Sequence, residues 1–163
     1  MKYELTDETI DVSGTTLHRI KALKDFGNVK KGELGGYVES EYNLSQIGNC
    51  WVYGNARVCG DAELCGNAKV CGNARVYGNA EVCGNARVYG NADYITIKGL
   101  GSRYRDTTIF KTRNEDVVVR CGCFYGTLTE FVNEVGITHG DSKYAKEYLA
   151  LVELAKIHFG IEK

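Results

Sequence analysis

Basic and hydroxyl side chains are concentrated in one short stretch after the middle of the chain. Residues 99–108 read GLGSRYRDTT, and Arg120 follows in the next apolar run. Guanidinium groups bind phosphates bidentately, while hydroxyls and the amides of a glycine-rich turn donate further hydrogen bonds to the same oxygens. The pattern predicts a site for a nucleotide-like anion at Ser102, Arg103, Arg105, Thr107, Thr108 and Arg120. The alternative is a solvated hairpin whose arginines are neutralised by Asp106, Glu115 and Asp116.

A histidine lies near these residues in a predicted turn between two helices. His139 is followed by Gly140 and Asp141. An imidazole beside a carboxylate can act as a general base, but the sequence offers no nucleophile to pair with it. We therefore expect His139 to contact a ligand and assign no catalytic residue, no cofactor and no metal site.

Composition restricts the kind of protein. The chain has 163 residues and a net charge of −1, with 44% apolar and 25% charged residues. These values are typical of a folded domain and argue against a chain whose whole surface attracts nucleic acid, though not against a local basic patch. No apolar run is long enough to cross a membrane, and the start MKYELTDETI lacks the apolar segment of a signal peptide. Seven cysteines, an odd number, favour free thiols in a reducing cytoplasm over a disulfide framework.

A six-residue repeat dominates the middle of the chain. Seven consecutive hexapeptides of the form V-x-G-N-A-x begin at Val52, and we extend the phase over residues 34–99, giving eleven hexapeptides. Residues two apart share a face of a strand, and Gly-Asn tolerates the backbone of a corner. Each hexapeptide is then a short strand plus a corner, and three make one 18-residue coil. Stacked at about 4.8 Å, they predict a parallel solenoid of about 3.5 coils.

This repeat resembles that of the left-handed parallel β-helix, the fold of many acyl- and nucleotidyl-transferases. The resemblance covers about 40% of the chain and implies the left-handed coil. Acyltransferases of this fold usually place a histidine on a coil or on a loop that protrudes from it. The hexapeptides here contain neither, so an acyltransferase is our second alternative rather than the first expectation.

Residues eighteen apart should stack in columns on the outside of such a solenoid. The columns carry four aromatic side chains at outward positions: Trp51, Tyr53, Tyr77 and Tyr89. Aromatic side chains are uncommon on a wall that faces only water. They predict the interface of a homo-oligomer, a trimer or a multiple of it, with a ligand groove between subunits as the alternative. Cys65 and Cys83 should also lie one coil apart.

The flanking segments are expected to cap the solenoid. Residues 1–33 predict a small β cap with a hairpin at Ser13-Gly14, and residues 34–99 are the solenoid. Residues 100–163 predict a ββαα unit with strands at 107–112 and 117–124. Thr127 and Glu130 form a capping-box pattern at the start of the first helix, and Asp141 or Ser142 caps a second helix that ends near Phe159.

The flanks also resemble small, mostly uncharacterised hexapeptide proteins of bacteriophages and prophages. The resemblance rests on ALKDFGNVKKGELGGYVE, GSRxxxTTxF and CGCFxGTLxEF followed by HGD. It places Thr127 and His139 among the motif residues and implies a protein of the bacterial cytoplasm. We expect a non-enzymatic, oligomeric binding protein that captures a nucleotide-like anion, as an anti-defence sponge, or a host protein. The alternative is a scaffold that binds through the solenoid faces.

Overall fold

The computed structural model describes residues 1–161 and is built mainly of β-strands, followed by two helices. The chain begins with three longer strands: β1 Tyr3–Val12, β2 Thr15–Ala22 and β3 Leu34–Val38. Seven two-residue strands follow: β4 Trp51–Val52, β5 Arg57–Val58, β6 Glu63–Leu64, β7 Lys69–Val70, β8 Arg75–Val76, β9 Glu81–Val82 and β10 Arg87–Val88. The last elements are β11 Tyr94–Leu100, β12 Arg105–Lys111, β13 Val117–Cys121, β14 Phe124–Thr127, α1 Leu128–His139 and α2 Lys143–Phe159.

The hexapeptides form parallel ladders with the predicted spacing of eighteen residues. Arg57 pairs with Arg75, and Glu63 pairs with Glu81. On the third ladder, β7 pairs with both β4 and β10. The valine or leucine of each repeat and the alanine of the first six repeats point inward and are buried in one continuous core, whereas Ala92 in the seventh repeat is exposed. The expectation of a mainly β protein with a hexapeptide solenoid is confirmed.

The first coil departs from the predicted phase. Val38 pairs with Val58 and Leu44 bridges to Leu64, so both partners are twenty residues apart. Two extra residues therefore lie between Leu44 and Val52. The predicted phase would have put Leu34 in a core position, but its side chain is 52% exposed.

The prediction for the last hexapeptide is also wrong. Residues 94–99 belong to β11, which pairs antiparallel with β12 instead of continuing a parallel ladder. The parallel part therefore has three rungs on each ladder, and 3.5 coils are not observed. The inward positions of these rungs are 38, 58 and 76, then 44, 64 and 82, then 52, 70 and 88.

The N-terminal segment covers one outward position of the solenoid. The β1–β2 hairpin turns at Ser13-Gly14, where both residues have positive φ, and β2 pairs antiparallel with β3. Tyr3 and Phe26 lie edge-on against Trp51, with ring centroids 6.2 and 5.2 Å away. Trp51 is 0% exposed, so it cannot contribute to an interface between subunits. The prediction for this side chain was wrong because the cap covers it.

The C-terminal unit has four strands rather than two. β11 to β14 form an antiparallel sheet. β11 joins it from the residues predicted as the last hexapeptide, and the expected strand 117–124 is divided into β13 and β14 by a tight turn at Gly122, where φ is +59°. Alternation along β12 divides its side chains between two cores. Phe110 joins the solenoid core, and Ile109 joins a second core with α1 and α2. Thr127 and Ser142 cap the two helices, as the sequence predicts.

None of the helices within residues 1–161 combines the length and the apolar character needed to span a bilayer.

Candidate functional site

A cavity of about 250 Å³ opens on the helix side of the C-terminal sheet. It lies where the β11–β12 loop, the β13–β14 turn and the two helices meet. Its walls are formed by Ser102, Arg103, Arg105, Cys121, Cys123, Phe124, Phe131, Glu134, Val135, Thr138, His139 and Tyr148. The cavity therefore combines cationic, hydroxyl and aromatic groups in one place.

The floor of the cavity is a chain of buried hydrogen bonds. Thr107 donates its hydroxyl to the Cys121 sulfur at 3.3 Å, and the Cys121 thiol points to the Tyr148 hydroxyl at 3.6 Å. Tyr148 in turn donates to the Leu100 carbonyl oxygen at 3.2 Å. Burial, followed by the contact with Cys121, raises the pKa of Tyr148. The phenol therefore stays neutral and fixes α2 to the sheet beneath the cavity.

Two guanidinium groups supply the positive charge of the cavity. The Arg105 guanidinium lies so close to Gly122 that any side chain at that position would collide with it. Arg103 precedes it on an exposed loop, and neither arginine forms an ion pair among residues 1–161. Glu134 brings one carboxylate to the opposite wall, leaving a net positive cavity. Uncompensated guanidinium groups favour an anionic occupant.

Aromatic rings form the remaining wall. The His139 ring lies 5.7 Å from that of Tyr148 in a stacked arrangement, and Phe131 contacts Tyr148 edge-on at 5.3 Å. Phe124 lies 5.3 Å from Phe131 on the other side. A planar ring bound beside the arginines would meet apolar and aromatic surface, the kind of contact that binds nucleobases.

The structure brings together only part of the predicted ligand site. Ser102, Arg103, Arg105 and His139 line the cavity, and Thr107 lies beneath it, fully buried. The other three residues, Thr108, Arg120 and Thr127, have different positions.

The sheet and helix geometry explains these three positions. Thr108 faces the solenoid and accepts a hydrogen bond from the Glu81 backbone N–H at 3.0 Å. Arg120 is its cross-strand partner and lies 3.3 Å from the Glu81 carboxylate. Thr127 accepts from the Glu130 backbone N–H at 3.1 Å as the N-cap of α1. None of the three lines the cavity.

Several wall residues were missed by the sequence analysis. Phe131, Glu134, Val135 and Thr138 follow the i, i+3, i+4, i+7 spacing of one helix face, so this signal was available. Cys121 and Cys123 flank the β13–β14 turn, and both reach the cavity. Within residues 1–161, no three His, Cys, Asp or Glu side chains are grouped closely enough to hold a metal ion.

The predicted interface tyrosines are on the surface to different degrees. Tyr77 and Tyr89 are 56% and 57% exposed on different ladders. Tyr53 is half-buried against the core, and the Lys69 ammonium lies 5.8 Å from the centre of its ring. The two exposed rings are therefore available for contact with another chain.

Comparisons with known proteins agree with the repeat. Residues 68–84 match the family model described as the YdcK beta solenoid repeat. The chain is also 38% identical over 60 residues to a protein of Escherichia coli K12 named "Uncharacterized acetyltransferase YdcK". That alignment covers 32% of this chain and 18% of the relative. The family-model match lies within the solenoid, and the aligned segment spans less than a fifth of the relative's length.

Proposed function

Because the chain is a hexapeptide-repeat β-solenoid protein in which the repeat builds a wall, we propose that its function resides in the C-terminal cavity. We propose a non-enzymatic binding protein whose ligand is a small phosphorylated molecule with one planar ring, such as a nucleoside monophosphate. The observation that supports this is the convergence of Arg103, Arg105 and Ser102 with the stacked rings of His139 and Tyr148.

The size of the cavity restricts the ligand. At about 250 Å³ it is slightly below the range of about 300–1,000 Å³ of typical ligand pockets. One ring and one phosphate fill such a space, and a dinucleotide would extend into solvent. The guanidinium groups would hold the phosphate, and the rings would stack on the base.

Titration calorimetry with three probes tests this function. We expect adenosine monophosphate to bind more tightly than inorganic phosphate or adenosine, because only the nucleotide uses both walls. Arg105→Gln should weaken nucleotide binding about tenfold or more, the usual effect of losing one charge-assisted hydrogen bond. Arg113→Gln is the matched control, because it removes an equal charge from the exposed β12–β13 turn. Equal losses in both variants, or no heat with any probe, would contradict the proposal.

An oligomer and a cellular role are further parts of the proposal. Tyr77 and Tyr89, each more than half exposed, would lie between subunits of a homotrimer of left-handed coils. In a bacterial cytoplasm, such an assembly could sequester a nucleotide signal of host defence, which is the role suggested by the phage-like motifs. Native mass spectrometry of protein purified from a bacterial lysate tests both parts. A trimer with a nucleotide-sized adduct supports them, and a clean monomer argues against both.

An acetyltransferase is the second candidate function, since the Escherichia coli relative carries that name. His139 is half-buried in a cavity that also contains two thiols, and an imidazole there could take a proton from an acceptor. Release of free coenzyme A thiol from acetyl-CoA, lost in His139→Ala, would favour this activity. Binding without release would favour the non-enzymatic function, and a protein that binds none of these probes would point to a scaffold.

A further inference from the structure

Two thiols stack on the acidic ladder of the solenoid, away from the cavity described above. β6 and β9 pair in register, and the Cys65 backbone N–H donates to the Val82 carbonyl oxygen at 3.0 Å. Cys65 and Cys83 therefore occupy the same corner position on adjacent rungs. Adjacent strands lie about 4.8 Å apart, within the range of Cα separations that disulfides span.

The other corner cysteines of the solenoid lack such a neighbour. Cys59 has Tyr77 on the next rung, and Cys71 lies between Tyr53 and Tyr89. The repeat thus places thiols at one kind of position but pairs them only on this ladder. This difference provides internal controls for any reactivity of the pair.

A cationic side chain from the C-terminal sheet reaches the pair. The Arg120 guanidinium lies 3.9 Å from the Cys83 sulfur and 3.3 Å from the Glu81 carboxylate. The neighbouring Cys65 side chain, with a smaller contribution from the Arg120 guanidinium, lowers the pKa of Cys83, whereas the pKa of Cys65 is raised. Cys83 is therefore the more readily ionised thiol of the pair. Cys83 is 5% exposed, while Cys65 is exposed.

We propose that Cys65 and Cys83 form a reversible redox site that a small peroxide oxidises to a disulfide between the two rungs. This site is separate from the cavity and does not depend on the proposed ligand. The geometry provides the three parts that such a site requires. They are a thiol beside a guanidinium, a second thiol on the neighbouring rung and the exposure of that second thiol to solvent.

The reaction balances with hydrogen peroxide as the oxidant. The Cys83 thiolate attacks one peroxide oxygen, the O–O bond breaks, and hydroxide leaves as Cys83 becomes a sulfenic acid. The Cys65 sulfur then attacks the Cys83 sulfur, giving the disulfide and a second hydroxide, which takes the proton released by Cys65 to form water. The first hydroxide takes a proton from solvent. Overall, two thiols are oxidised and one peroxide is reduced to two water molecules.

Mass spectrometry of the intact folded chain after peroxide treatment tests the site. We expect the loss of two hydrogen atoms, a peptide that links Cys65 to Cys83 after digestion under non-reducing conditions, and reversal by dithiothreitol. Cys65→Ser should leave a Cys83 sulfenic acid that dimedone traps, because no second thiol can resolve it. Arg120→Gln should slow disulfide formation about threefold or more, since less of Cys83 is ionised.

Cys59→Ser and Cys71→Ser are the matched controls, and both should form the disulfide at the wild-type rate. Circular dichroism establishes that each variant is folded before oxidation. The proposal is overturned if Cys59 or Cys71 reacts with peroxide as fast as Cys83 does. It is also overturned if the folded wild-type chain yields no linked peptide between Cys65 and Cys83.

Discussion

Thr127 is predicted from the sequence to contact a ligand, but the structure places it at the N-cap of α1. The substitution Thr127→Ala separates these two roles. Thr127 accepts from the Glu130 backbone N–H at 3.1 Å, and the Glu130 carboxylate accepts from the Thr127 backbone N–H at 2.9 Å. Thr127→Ala removes the first bond of this capping box and leaves a helix N–H without its partner. We expect a destabilisation of about 1 kcal/mol, the usual cost of losing an N-cap side chain.

The size of this effect can be measured directly. For a chain of this length, about 1 kcal/mol lowers the melting temperature by about 2–4 °C. Urea unfolding followed by circular dichroism gives the change in free energy, and calorimetry with adenosine monophosphate gives the affinity. Affinity should change less than about twofold in Thr127→Ala, because the hydroxyl does not reach the cavity.

Two further variants complete the design. Thr127→Ser and Thr127→Asn keep a side-chain acceptor at the N-cap, so both should retain most of the wild-type stability. If Thr127→Ala kept full stability but bound nucleotide tenfold more weakly, the hydroxyl would be a ligand contact. The assignment of Thr127 as a cap would then be wrong.

Three other predictions concern the register, the backbone and the titration of the fold. Leu64→Ala should lower the free energy of unfolding by about 3 kcal/mol, because Leu64 is 1% exposed in the middle rung. Leu34→Ala should lower it by less than about 0.5 kcal/mol, because Leu34 is 52% exposed, and urea unfolding compares the two variants. Gly36→Ala should destabilise the fold by about 2 kcal/mol, because the added methyl group would collide with the Ala56 carbonyl oxygen. Gly136→Ala should stabilise the fold by up to about 1 kcal/mol, because this position on α1 has open space and alanine favours the helix. Burial raises the pKa of Tyr94 to about 12, so the unfolded chain loses this proton first and stability should fall as pH rises from about 10 to 12. Urea midpoints across this range should fall less steeply in Tyr94→Phe than in the wild type.

Short-range signals account for the parts of the fold that the sequence could predict. Hexapeptide spacing fixes the register of Arg57 with Arg75, because each corner is made by its own Gly-Asn pair. The caps at Thr127 and Ser142 are equally local. The two-residue insertion before Val52 has no such signal. The segment QIGNCW stays in phase with the later hexapeptides, while the two hexapeptides before it are shifted by two residues. Only pairing across the coils reveals that shift.

Features that depend on distant segments could not be predicted. Trp51 occupies an outward position of its repeat and is buried because Phe26 and Tyr3 fold over it. Trp51 and Lys69 occupy the same position of the repeat and are partners on one ladder, so the repeat alone does not predict that Trp51 is covered. The same holds for the cavity, whose floor joins Thr107 to Tyr148 across 41 residues of the chain.

The composition of the candidate site follows from the period-two alternation of strand side chains. Thr107 and Thr108 are neighbours in the same motif, yet one faces the helices and the other faces the solenoid. Arg120 pairs with Thr108 across the sheet, so it must share the solenoid face, while Cys121 pairs with Thr107 and must share the cavity face. A cluster of basic and hydroxyl residues in the sequence is therefore divided by the sheet into two sets. One set lies at the cavity of the proposed anion site, and the other brings a guanidinium to the thiol pair on the solenoid.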